Sequence, residues 1–157
     1  AYEIDLCDWS SDVCSSDLSV LLYPELIAGL GRDPAAIDFL CGYARPTAIV
    51  STKKQILQKA RACGLITIFQ IFMIDTQAFE TGIQTARRLD CDAVEIMPGA
   101  IPHIIREVSS QLPLPVLCAG LVKTEAEIHE VLKAGAQAVA TSRRPLWFAS
   151  SLREVAA

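Results

Sequence analysis

The residues best suited to chemistry in this 157-residue chain sit beside small, turn-forming positions. Ala119-Gly120 is followed closely by Lys123, and Thr141-Ser142 runs straight into Arg143-Arg144. A glycine that opens the backbone to close approach, hydroxyl donors and nearby cations together make an anion site, with phosphate the natural occupant. Of the fourteen Lys and Arg, Arg32, Lys53, Lys54, Lys123, Arg143 and Arg144 fall in such stretches. Ala119, Gly120, Thr141, Ser142 and Lys53 are therefore the expected phosphate-binding residues. The plainer alternative is that Gly120 makes a tight turn and Thr141-Ser142 caps the last helix.

Three carboxylates are expected to make polar contacts to a ligand: Glu25, Asp75 and Glu95. Glu95 interrupts an apolar run, and a charge is rarely buried without a partner. Lys53 is the expected partner, in a structural ion pair or as part of a ligand hydroxyl or acid/base site. Asp75 precedes a helical pattern that begins at Thr76, where it would cap the helix. His103 and His129 occupy amphipathic helix positions without metal-ligand spacing. Trp147 is expected to pack the final helix, with stacking on a base as its other role. No metal site and no catalytic residue are assigned. Nor is a redox cofactor.

Those side chains need a scaffold. Apolar, β-rich runs recur at 19–23, 47–50, 66–74, 92–97, 115–120 and 137–142. Most are continuous rather than alternating, as in a parallel sheet covered on both faces. Helical patterns fill the gaps, and parallel strands need such crossovers. Asp33-Pro34 reads as an N-cap with proline at the first helical position. Thr124-x-x-Glu127 reads as a capping box, and Gly64 and Gly135 mark helix ends. Six βα units fit the chain where a full barrel has eight. The expected fold is α/β: a TIM-like (β/α) barrel, incomplete or modified, without its N-terminal strand or strands. A doubly wound sheet would want a glycine-rich turn after its first strand, and Gly29-Leu30-Gly31 lacks the third glycine. The polar residues above then fall at the C-terminal ends of strands, where barrels do their chemistry.

With 52% hydrophobic and 20% charged residues, the chain is neither disordered nor low in complexity. No apolar run is long enough to span a bilayer, and no leader-like segment opens the chain. The cysteines at 7, 14, 41, 63, 91 and 118 form no CxxC pair, so reduced thiols in a cytoplasmic protein are expected. Residues 1–18, AYEIDLCDWSSDVCSSDL, resemble a translated sequencing adapter. The expected division is a non-native segment at 1–18 and one barrel domain at 19–157. The net charge of −4 argues against a nucleic-acid partner. Residues 1–18, however, hold five of the eighteen acids and no Lys or Arg, leaving fourteen bases against thirteen acids. The remainder, at +1, raises no such objection.

From about residue 19 to 148 the chain resembles the glycerol-3-phosphate-responsive antiterminators, regulators of bacterial glycerol uptake operons. The motifs that carry the resemblance are collinear. LIAGLGRD (26–33) resembles the segment after an early strand, and AIVSTKKQILQKARACGL (48–65) is similar to the family's IIST-K helix. FQIFMIDT (69–76) resembles R-x-F-L-I-D-[ST], and VEIMPGAIP (94–102) resembles I-E-[IL]-L-P-G. LCAGLVKTEAEI (117–128) is similar to A-G-G-[LF]-I-x-T-x-x-[ED]. AVATSRRPLW (138–147) resembles the closing A-[VI]-[ST]-T-S-x-x-x-L-W. Ala119 stands where the family has the first glycine of its pair, and Glu25 where it tends to have Asp.

The resemblance implies a modified barrel that binds glycerol 3-phosphate as effector and a leader messenger RNA as partner. Lys54, Lys123, Arg143 and Arg144 are the RNA-contact candidates, with a solvated rim as the alternative for each. The implied protein is a transcription antitermination regulator, not an enzyme, with no membrane partner; a homo-oligomer is compatible with it. The competing class is a barrel enzyme acting on a small phosphorylated metabolite. There Glu95 or Asp75 would be the acid/base and Lys53 an electrophile or Schiff-base lysine.

Overall fold

A computed structural model of the chain describes residues 19–148. The suspect segment 1–18 lies outside them, as does the end of the chain. Two compact units divide the chain, Ala1–Phe69 and Gln70–Ala157.

In the first unit, strand β1 (Leu21–Leu22) leads through a 3-10 turn (Pro24–Leu26) to helix α1 (Pro34–Tyr43). Strand β2 (Ala48–Ser51), helix α2 (Lys54–Ala62) and the start of strand β3 (Ile66–Phe72) follow. β1 pairs parallel with β2, Leu21 opposite Ala48, and β2 with β3, Ser51 opposite Phe69. All four residues of β2 are buried, which explains its unbroken AIVS run. Helix α1 begins where the sequence asks it to: Asp33 accepts the backbone N–H of Ala36 at 3.2 Å, with Pro34 next in line. α2 buries Ile56, Leu57 and Ala60 on one stripe, and each large side chain so buried is worth about 1.5–3 kcal/mol.

The second unit takes the end of β3 and continues through helix α3 (Thr76–Arg88), strand β4 (Ala93–Met97) and helix α4 (Pro102–Gln111). Strand β5 (Val116–Ala119), helix α5 (Glu125–Lys133) and strand β6 (Ala138–Ala140) come next, before a final 3-10 turn (Arg144–Phe148). β4 pairs parallel with β5 and β5 with β6, Ala119 lying opposite Ala140. α3 lies so close to β3 that a Cβ on Gly82 would collide with Ile71 Cγ2. Asp75 caps α3 through Ala78 N–H at 2.7 Å, and Thr124 and Glu127 form the expected reciprocal box on α5. Gly64 and Gly135 adopt φ of +77° and +113° at helix ends.

Hydrogen-bonded strand order is chain order, β1 to β6, with a helix between each pair from β1 to β6. Among the described residues this is the alternating repeat of an incomplete (β/α) barrel, six parallel strands with five α-helices between them. All the strands but β2 are shorter than their apolar runs. β1 keeps only two residues of the 19–23 run. β3 stops at Phe72, because the backbone turns there, with Ile74 N–H on the Phe72 carbonyl.

Candidate anion-binding site

The loop after β5 reverses on two successive left-handed residues, Gly120 at φ +77° and Leu121 at φ +61°. Glycine takes that conformation freely, whereas for leucine it costs about 1–2 kcal/mol. The Leu121 side chain is 66% exposed, so packing does not offset the strain. Backbone and hydroxyl ties hold the loop on both sides. Gly99 N–H donates to the Gly120 carbonyl at 3.0 Å, and Thr141 Oγ1 donates to the Val122 carbonyl at 3.0 Å. Strain held in place by its surroundings is characteristic of functional loops.

The loop after β6 is organised around Thr141. Its Oγ1 accepts the backbone N–H of Arg143 at 3.2 Å, and its carbonyl accepts the indole N–H of Trp147 at 2.8 Å. The Arg144 guanidinium stands 6.0 Å from the centre of the Trp147 ring, within cation–π range. Gly120, Leu121 and Val122 of one loop and Ala140, Thr141 and Ser142 of the other line an open cleft of about 290 Å³. Ser142 and the cations Lys123, Arg143 and Arg144 are exposed on these loops. The backbone N–H groups of Lys123 and Thr124 are already committed to Glu127 Oε2, at 2.6 and 3.0 Å. They hold the Glu127 carboxyl below its ordinary range and are spent as anion donors.

Gly120, Thr141 and Ser142 thus line one cleft. Ala119 is buried at the end of β5 and the cleft begins one residue later, so its methyl does not line the opening. Lys53 and Glu25 belong to the first unit. There the Lys53 amine donates to the Arg32 carbonyl at 3.1 Å, while buried Ser51 donates its hydroxyl to Glu25 and accepts the Lys53 backbone N–H. Lys54 is exposed in the first turn of α2. Exposed Asp75 performs the capping role.

Glu95 is buried at 1% exposure and accepts the side-chain amide of Gln70 at 2.7 Å. Within the second unit, Gln70 is therefore a hydrogen-bond partner of Glu95. A signal was present in the sequence: with Asp75 aligned, the pattern R-x-F-L-I-D puts its arginine at Gln70. Burial pushes the neighbouring Cys118 thiol up to about 12, helped by the Glu95 charge. His103 is exposed and His129 binds its own helix, ring to Glu125 carbonyl at 2.9 Å. Trp147 corrects its expectation: at 58% exposure it does not pack a helix but leans on Thr141 through its N–H. Leu121, Val122 and Gly99 also belong to the site and were not anticipated. A Cβ at Gly99 would meet Ala119 N at 2.7 Å, a closeness visible only once β4 and β5 are packed.

A family model described as glycerol-3-phosphate responsive antiterminator matches residues 4–147, beginning inside the segment read as adapter-like. A solved glycerol uptake operon antiterminator regulatory protein from Listeria monocytogenes is 36% identical, with a TM-score of 0.78. The match covers 82% of this chain and 70% of that one. An antiterminator-related protein from Thermotoga maritima is 34% identical at a TM-score of 0.72, over 82% of this chain and 73% of that one. An uncharacterized Escherichia coli protein, YgcP, is 28% identical over 126 residues, which are 80% of this chain and 66% of that protein. The chain therefore spans just under two thirds of that curated relative. With the fold, the motif order and a family match over most of its length in agreement, the chain belongs to the glycerol-3-phosphate responsive antiterminator family.

Proposed function

We propose that the protein is a transcription antitermination regulator of glycerol utilisation whose effector, glycerol 3-phosphate, binds between the loops after β5 and β6. The observation that carries the reading is the cleft made by Gly120–Val122 and Ala140–Ser142, with Thr141 bridging its two walls. In barrels a phosphate commonly sits between the last two strand-end loops, and these loops bring a left-handed glycine, two hydroxyls and three cations together. Phosphate charge on Lys123, Arg143 and Arg144 lowers the mutual repulsion of the rim and fixes both loops. The ligand-bound arrangement is then favoured from a pre-existing equilibrium.

The partner in this reading is a leader messenger RNA. Lys54, Lys123, Arg143 and Arg144 contact its phosphates, and exposed Trp147 offers a face for a base. No catalytic residue, metal or redox cofactor enters, and the protein acts in the cytoplasm. No helix among the described residues is long and apolar enough to cross a membrane.

Thermal denaturation with glycerol 3-phosphate, glycerol and inorganic phosphate tests the effector. Stabilisation by glycerol 3-phosphate beyond that by either fragment is expected, since a ligand that binds only the folded state raises its stability. Equal melting temperatures in all three and in buffer would reject the site.

A further inference from the structure

We propose that Cys41 and Cys63 are a redox pair, closed to an intramolecular disulfide by a low-molecular-weight disulfide such as oxidised glutathione. The two cysteines come from neighbouring helices of the first unit. Cys41 lies on α1 one turn beyond Asp38, and Cys63 caps α2 one turn beyond Lys59. Residues three and four apart share a helix face. The Lys59 Nζ–Asp38 Oδ1 ion pair, at 2.6 Å, therefore marks where the two cysteine-bearing faces meet. Beneath it Ile37, Leu40, Ile56, Leu57 and Ala60 are all essentially buried, so the helices cannot separate cheaply. One turn further along both helices the two cysteines come close enough for each to act on the other's proton affinity.

Access distinguishes this pair from the other described cysteines. Cys41 and Cys63 are both partly exposed, whereas Cys91 and Cys118 are buried. Gly64, next to Cys63, has open space where a side chain would stand. The order of steps follows from proton affinity. Burial first, and then Cys63, push the Cys41 thiol up to about 11, so Cys41 holds its proton until a thiolate removes it and acts as the resolving thiol.

Each step balances. The Cys63 thiolate attacks one sulfur of the small disulfide, forming a mixed disulfide and expelling one small thiolate. That thiolate takes the Cys41 proton. Cys41 Sγ then attacks Cys63 Sγ, forming the protein disulfide and expelling the second small thiolate. Two protein thiols are oxidised, one small disulfide is reduced to two thiols, and the proton Cys63 lost to form its thiolate goes to the second.

The test treats the full, pre-reduced chain with excess oxidised glutathione, blocks free thiols in denaturant, and maps a non-reducing digest by mass spectrometry. The expected product is one dominant cross-link joining the peptides of Cys41 and Cys63, lost on dithiothreitol treatment, with Cys91 and Cys118 recovered as thiols. In Cys41→Ser, Cys63 should stop at the glutathione adduct. The wild-type map stands even where that variant fails to fold. Cys41 and Cys63 both recovered as free thiols, or cross-links scattered over other cysteines, would overturn the proposal.

Discussion

Thr141 Oγ1 donates to the carbonyl of Val122 at 3.0 Å, joining the loop after β6 to the loop after β5. The same oxygen accepts the Arg143 backbone N–H, and the Thr141 carbonyl holds the Trp147 indole. One residue thus connects the cleft wall to the aromatic and cationic surface proposed for RNA. Replacing it by valine keeps its shape and removes both hydroxyl bonds. Thr141→Val should lower stability by only about 1 kcal/mol, yet weaken glycerol 3-phosphate binding tenfold or more. Denaturant unfolding and calorimetric titration of the same preparation separate the two effects.

Two glycines predict unequal damage. A Cβ at Gly120 would meet the flexible Met97 side chain at 3.1 Å, but at φ +77°. Gly120→Ala should cost about 1–2 kcal/mol in backbone strain and weaken ligand binding. A Cβ at Gly99 would sit 2.7 Å from the backbone N of Ala119, which cannot swing aside. Gly99→Ala should therefore cost more than Gly120→Ala, and midpoints of chemical unfolding give the order.

The buried carboxylate offers a third prediction. Gln70→Leu removes the amide that donates to Glu95 at 2.7 Å and leaves an acceptor short of one donor, at a cost of about 1–3 kcal/mol. Glu95→Gln in the same background should recover part of the loss, because it removes the charge. A double-mutant cycle by urea unfolding reads the coupling.

Stability should also depend on pH through Glu127. Its carboxyl is held below the ordinary value of 4.5 in the folded chain, chiefly by the Lys123 backbone N–H. A depressed folded-state value means stability that is present above the unfolded value and lost as pH falls through the folded one. The melting-temperature gap between wild type and Glu127→Gln should therefore be largest near neutral pH and shrink steadily below about pH 4.5.

Most of the scaffold was legible because its signals are local. Asp33, Asp75 and the Thr124–Glu127 box reveal themselves within three residues, and continuous apolar runs such as AIVS reveal buried parallel strands. Gly120, Thr141 and Ser142 were legible as a set because strand ends converge in this architecture. What escaped notice depends on contacts between distant segments. Gly99 is required by the approach of Ala119, and Leu121 is held at positive φ by its flanking ties rather than by its own type. For Glu95, pairing opposite charges points to Lys53, and the neutral amide of Gln70 on β3 is a donor that charge alone does not announce. Trp147 departs from expectation for a related reason: large aromatics usually pack, and nothing local announces that this indole leans on the Thr141 carbonyl with Arg144 over its ring.

The central claim is that effector binding and RNA binding are coupled through the cleft. A gel-shift titration of a glycerol-operon leader transcript, with and without glycerol 3-phosphate, tests it most directly. The account predicts tighter binding with the effector, affinity that falls with salt, and loss of the effector's influence in Thr141→Val. Binding that is absent, or identical with and without glycerol 3-phosphate, would contradict it.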